Sequence, residues 1–195
     1  MTRLVLIRHG AVHPRWRGCC YGDADIGLGA RGRAQGRRAA AAVAPFFRGL
    51  RPGAALLLTS DLRRARHLAD RLAAAVGVDP VVDPALRERH FGEWERRSWL
   101  EIYDETGDAM DGMVNAPATW RPPGGETTFG MRDRVLRALD RHLAAGPELT
   151  VVVGHGGPIA ALRGTLAGED VVEWPGLVPG HGEWLDQPWP PGGVD

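Results

Sequence analysis

A three-layer α/β/α sandwich on a mostly parallel sheet is the fold this 195-residue sequence predicts. Two observations predict it. The apolar runs Leu4-Val5-Leu6, Leu56-Leu57-Leu58 and Val151-Val152-Val153 each open into a polar or Gly-containing turn, as buried parallel strands do. Segments with apolar residues at helical spacing lie between these runs, so strands alternate with helices.

The elements follow in order. Residues 3–8 read as the first strand, and a polar, Gly-rich loop runs on to about Gly29. Ala30 to Phe47 reads as a helix with apolar positions Ala34, Ala41 and Val43, stopped by Leu50-Arg51-Pro52-Gly53. The second strand is expected near 54–59, with Ser60 as N-cap of a helix over 61–76. Leu62, Ala65, Leu68, Ala69, Leu72 and Val76 share one face of that helix. A short strand is expected near 80–82, and 87–123 reads as irregular, with Trp94, Trp99 and Trp120. Thr127 or Thr128 caps a helix through Leu143, whose Met131, Val135, Leu139 and Leu143 recur every four residues. Strand 149–153 and a helix opened by Pro158 come next. One or two edge strands are expected beyond Ala167.

The length suits one domain, residues 1–195, with 87–123 as a lid or specificity insertion. A formal net charge of +0 and a pI of about 7.1 favour neither a nucleic-acid nor a membrane partner. No window approaches a membrane span and the N-terminus enters a strand at once, so no secretory signal is expected and the cytoplasm is the expected compartment. All 24 basic residues are Arg; with abundant Ala, Gly and Pro, this reads as the imprint of a GC-rich genome. Cys19 and Cys20 are adjacent and read as reduced thiols in a loop. No C-x-x-C or H-x-x-x-H spacing offers a metal cage, so neither metal nor cofactor is expected. A homodimer stays open.

Ligands of open α/β sheets bind at the carboxyl ends of the strands. The first strand ends in Arg8-His9-Gly10, the third long run in Gly154-His155-Gly156, and Arg63-Arg64 follow the second. The segment Leu86-Arg87-Glu88-Arg89-His90 adds a carboxylate. Two histidines, several arginines and a glutamate on one rim suit phosphoryl transfer through a phosphohistidine. A neutral imidazole attacks phosphorus, and planar guanidiniums bind the non-bridging oxygens. Arg64, in the first helical turn, also sits where a helix dipole favours phosphate. Glu88, Glu93 and Glu95 compete on sequence grounds as proton donor. His13, His67, His90, His142 and His181 read as surface or structural.

These motifs resemble those of the histidine phosphatase superfamily, the phosphoglycerate mutase-like proteins, in order over about residues 3 to 165. Arg8-His9-Gly10 resembles its N-terminal motif, Ser60-Asp61-Leu62-Arg63-Arg64-Ala65 its S-x-L-x-R-A motif, and Gly154-His155-Gly156 its second histidine. The resemblance implies a phosphoglycerate mutase-like fold and a metal-independent phosphomonoesterase. His9 would be the nucleophile and Glu88 the proton donor, with phosphate held by Arg8, Arg64 and His155. Ala11-Val12-His13-Pro14-Arg15 departs from the Glu-Ser-x-Trp-Asn of the glycolytic mutases.

The stretches Cys20-Tyr21-Gly22-Asp23, Phe91-Gly92-Glu93-Trp94 and Pro123-Gly124-Gly125-Glu126-Thr127 resemble the α-ribazole phosphatase branch, which acts in cobalamin biosynthesis. Ala11-Val12 in place of Glu-Thr, and Arg96-Arg97 where relatives carry Gly, depart from it. The resemblance therefore implies α-ribazole 5′-phosphate as the leading small-molecule substrate. The alternatives are a broad sugar- or nucleotide-phosphate phosphatase and, in another class, a non-catalytic phosphate-binding regulatory module.

Overall fold

The computed structural model describes residues 2–190. Its elements are β1 (Thr2–Arg8), α1 (Ala30–Val43), β2 (Ala55–Thr59), α2 (Arg63–Val76), β3 (Pro80–Val82), α3 (Trp99–Thr106), α4 (Gly112–Asn115), α5 (Thr128–Leu143), β4 (Leu149–Gly154), α6 (Gly156–Ala167) and β5 (Trp184–Trp189). The sheet order is β3-β2-β4-β1-β5. All neighbours are parallel except β5, which runs antiparallel along β1 as an edge strand. Among the described residues one edge strand therefore forms beyond Ala167.

Side chains alternate across the sheet, as a period of two requires. Leu4, Leu6, Leu58 and Val152 pack with Val135, Leu139, Ile159 and Leu162 on the face covered by α5 and α6. Val5, Ile7, Leu57, Val151 and Val153 pack with Ala39, Val43, Leu68 and Leu72 on the opposite face, under α1 and α2. Burying both faces is why these strands read as continuous apolar runs.

Four local expectations are corrected. The first helix ends at Val43 and passes into a 3-10 turn over Ala44–Phe47, because Pro45 has no N–H to continue the ladder. Its buried face is Gly32, Gly36, Ala39, Ala40 and Val43, whereas Ala41 is exposed. Ser60 does not cap α2: the N-cap residue is Leu62, and the N–H of Arg63 is met across the fold by Asp25 Oδ1 at 2.9 Å. The last helix begins at Gly156, two residues before Pro158. Finally, 87–123 is not wholly irregular, since α3 opens on a capping box between Ser98 and Glu101. This segment builds a satellite core of Cys20, Trp94 and Ile102 with Phe91, Trp99, Met110 and Trp120.

Candidate active site

The sheet register sets the two histidines side by side. Arg8 on β1 pairs with Gly154 on β4, so the next residues, His9 and His155, leave adjacent strand ends with ring centroids 5.2 Å apart. Both rings are fully buried. His9 Nδ1 lies 2.7 Å from the carbonyl oxygen of Gly10, which can only accept. The proton is therefore on Nδ1, and Nε2 keeps its lone pair.

Ser60 orients the second ring. Its hydroxyl accepts from Leu62 N–H at 3.4 Å and lies 2.7 Å from His155 Nε2. If the hydroxyl donates to Nε2, the proton of His155 is placed on Nδ1, a buried atom with no hydrogen-bond partner. Three guanidinium nitrogens share that state among the described residues: Nε of Arg8 and Nε of Arg64 beside the histidines, and Nε of Arg89 farther along the cavity. Both terminal nitrogens of Arg64, and one of Arg8, are committed to backbone. Arg8 donates to Pro179 O at 2.7 Å, and Arg64 to Ala24 O at 2.6 Å and Gly22 O at 2.5 Å. Buried donors without partners are rare in folded proteins, and three of them around one imidazole mark a site for an anion with several oxygens.

Of the three competing carboxylates, Glu88 lines the cavity that opens beside Arg8, Gly156 and Gly157. Its Oε1 accepts from Arg89 N at 2.9 Å and from Gly157 N at 3.1 Å. A Cβ at Gly157 would stand 2.6 Å from that oxygen, so a side chain there would push the carboxylate out of this position. Glu93 is exposed, and Glu95 Oε1 is engaged by Phe91 N and Asp23 N. Behind Glu88, Arg134 of α5 donates to Ala85 O and Arg87 O at 2.9 Å and to Glu88 O at 2.8 Å, while forking onto Glu126. Replacing Arg134 with Met should slacken the Glu88 backbone and lower kcat about tenfold with KM little changed. Arg134→Lys should recover part of the loss; steady-state kinetics check both.

Three residues that touch the predicted site residues escaped the sequence reading. His181, in the loop before β5, sets its ring 5.3 Å from that of His9 and places Nδ1 3.2 Å from His9 O. Its flanks, Gly180 and Gly182, repeat the Gly-His-Gly pattern around His155, a signal the sequence did carry. Tyr21 lies under the Arg64 guanidinium, 5.4 Å from ring centroid to Cζ. Ser60 was read only as a cap. His13, by contrast, is exposed and caps a 3-10 turn through Nδ1. Among the described residues, Asp23, His90 and Glu95 form one group whose ligand atoms lie close enough to hold a metal ion, and hydrogen bonds already join them.

Burial, and then the Arg64 charge, push the pKa of His9 and of His155 well below the usual imidazole range. Burial, with Arg8, takes His181 down to about 4. The native rings thus stay neutral in mild acid while unfolded histidines take up protons below pH ~6.5. The unfolded state then binds more protons, so stability is full above that pH and falls as pH drops through it. His90 moves the other way: desolvation opposes, but Asp23 and Glu95 together outweigh it. Urea melts should show a loss of about 2 kcal/mol from His9 and His155 between pH 7 and 5.5.

The family model of the histidine phosphatase superfamily (branch 1) matches residues 4–184. The chain belongs to this superfamily. A glucosyl-3-phosphoglycerate phosphatase of Mycolicibacterium vanbaalenii is 33% identical over 194 residues, covering 95% of this chain and 83% of that protein. The structure of a mycobacterial glucosyl-3-phosphoglycerate phosphatase with VO3 superposes with a TM-score of 0.82 at 32% identity, covering 95% and 90% of the two chains. The α-ribazole phosphatase of Shigella flexneri gives a TM-score of 0.79 at 25% identity, covering 97% and 92%. As a histidine phosphatase the chain is a phosphoric monoester hydrolase with the phosphoglycerate mutase-like α/β fold. No helix among the described residues is long and apolar enough to cross a membrane.

Proposed function

We propose that this histidine phosphatase hydrolyses small-molecule phosphomonoesters through phospho-His9, without a metal. One observation carries the reading: His9 has its proton tied to Gly10 O, and Arg8, Arg64 and His155 each hold a buried donor without a partner. In the first step Nε2 of His9 attacks phosphorus and the ester P–O bond breaks. Glu88 delivers its proton to the leaving oxygen. In the second step Glu88 takes a proton from water, whose oxygen attacks phosphorus, and the N–P bond breaks to release phosphate. Arg8 and Arg64 bear the charge on the equatorial oxygens, as a metal ion does in other phosphoryl-transfer sites. His155 donates through Nδ1, and 87–123 walls the space for the alcohol within the same domain.

For substrate, α-ribazole 5′-phosphate is the leading reading, supported by the Cys20–Asp23 and Phe91–Trp94 stretches and the likeness to the Shigella protein. Glucosyl-3-phosphoglycerate is a second, supported by the relatives at 33% identity. Initial rates in EDTA on both compounds, beside a panel of sugar and nucleotide phosphates, test the reading. A preference above tenfold for one of the two assigns it. Even rates across the panel sink both substrates and keep the phosphatase; rates lost in EDTA sink the metal-free mechanism.

A further inference from the structure

The cavity next to His9 carries a chemistry that phosphate binding does not explain. It opens directly from Arg8, Glu88, Gly156 and Gly157 and has a volume of about 500 Å³, in the usual range for a small-molecule site. The phosphate end is cationic, but the wall beyond it is apolar. Met110, Met113 and Met131, every methionine of the chain apart from Met1, line it from the 3-10 turn before α4, from α4 and from α5. Phe91, Trp99 and Trp174 complete the wall. Methionine is the apolar side chain that adapts best to irregular shapes, and aromatic rings offer flat faces.

Polar groups at this wall are few and mostly occupied. Thr128 Oγ1 donates to Met113 O and accepts from Arg89. The Arg89 guanidinium is 5% exposed; its two terminal nitrogens donate to Thr128 Oγ1 and Glu126 O, and its Nε is the one buried donor of this wall left without a partner among the described residues. Asp111 stands exposed, where it would repel a second anionic group. A polyol or a carboxylate in this space would leave its own water behind and meet few free partners. An apolar body would displace water from surfaces that gain by its loss.

Resting on the phosphatase reading, we infer that the alcohol half of the substrate ends in an apolar body, aromatic or compact aliphatic, which weighs for α-ribazole 5′-phosphate with its aromatic base and against glucosyl-3-phosphoglycerate. Selection then comes from burial of that body, not from hydrogen bonds to hydroxyls. The sequence could not reveal this, because the three methionines are spread over twenty-odd positions and come together only in the wall of the cavity.

The test compares kcat/KM for benzyl phosphate and glycerol 1-phosphate, two alkyl esters with similar leaving groups, so that intrinsic reactivity does not decide the result. The expected ratio is on the order of 50-fold in favour of benzyl. In Val114→Asp, a partly exposed change that sets a charge in the same wall, the ratio should fall to about fivefold or less. A ratio near one with turnover that still needs His9 overturns the apolar inference and spares the phosphatase. So does a preference for 3-phosphoglycerate over benzyl phosphate, which would make Arg89 a carboxylate reader. Absence of His9-dependent turnover on every ester fails the phosphatase reading instead. The cavity is then judged by calorimetry with benzylphosphonate and methylphosphonate. Tighter binding of the benzyl compound with a negative heat-capacity change supports the inference, and equal binding overturns it.

Discussion

His9→Ala is expected to lower kcat by about 10⁴-fold or more while leaving phosphate binding nearly intact. The change removes the atom that bonds to phosphorus but spares the donors that hold its oxygens. Arg64 is anchored by the carbonyls of Gly22 and Ala24, Arg8 by that of Pro179, and neither anchor involves the imidazole. Inorganic phosphate or vanadate should therefore bind the variant within a few-fold of the parent. Alkaline quenching during turnover of labelled substrate should trap a phosphorylated protein in the parent and none in the variant. Label that persists in His9→Ala would move the nucleophile elsewhere, with His155 and His181 the nearest candidates. The substitution should also remove one of the buried neutral imidazoles, so its stability should fall less steeply in mild acid than the parent's.

Gly32→Ala is expected to cost about 3 kcal/mol, near the upper end for overpacking, and to impair turnover from a position that touches no substrate. A Cβ there would stand 1.9 Å from Ala11 O and 2.8 Å from Ala11 C and N. The reciprocal contact is as severe: a Cβ at Gly10 would lie 2.1 Å from Gly32 O. Two backbones meet here without side chains between them, and the loop is further pinned by Ala11 N to Gln35 Oε1 at 2.9 Å. Relief demands that α1 withdraw or that residues 10–11 move. The second route displaces the Gly10 carbonyl that fixes the His9 proton. Thermal melts should report the stability loss. A kcat deficit larger than the folded fraction explains would report the displaced carbonyl, whereas full activity per folded molecule would show that α1 yields instead.

Gly10 also shows where sequence reading succeeds for an incomplete reason. A glycine after a strand reads as a turn, yet Gly10 is not among the residues with positive φ. What excludes a side chain is the neighbouring helix, which no local pattern encodes. The parallel strands were legible because strands buried on both faces must be apolar throughout. The helix face of α2 was legible because Leu62, Ala65, Leu68 and Leu72 keep helical spacing. The buried face of α1 was not, because it is built from Gly and Ala, whose burial depends on what approaches them. The short helix α3 was passed over although Ser98 and Glu101 announced it, masked by tryptophans that read as loop anchors. At the site, Arg8, His9 and His155 follow from strand ends, whereas the choice of Glu88 over Glu93 and Glu95 rests on family likeness, to which the structure adds that Glu88 lines the cavity and accepts from Gly157 N. Ser60 and His181 needed the register: one is 95 positions from the ring it orients, the other 172 from the carbonyl it meets.

The place of β1 in the sheet governs the order in which this enzyme can come into being. Arg3 pairs with Leu149 on one side and with Pro188 on the other. Of the five strands, the one that carries His9 is thus made first, and its two partners are the last two made. A nascent chain that ends before β4 already contains His9, Arg8, Arg64 and Glu88, yet the apolar run Leu4-Val5-Leu6-Ile7 has no strand to pair with. Chemistry begins only after β4 and the His155 that follows it have been made. Until then that run must be kept from partners on other chains, which makes the opening residues the point of greatest demand on chaperones and of greatest risk of aggregation.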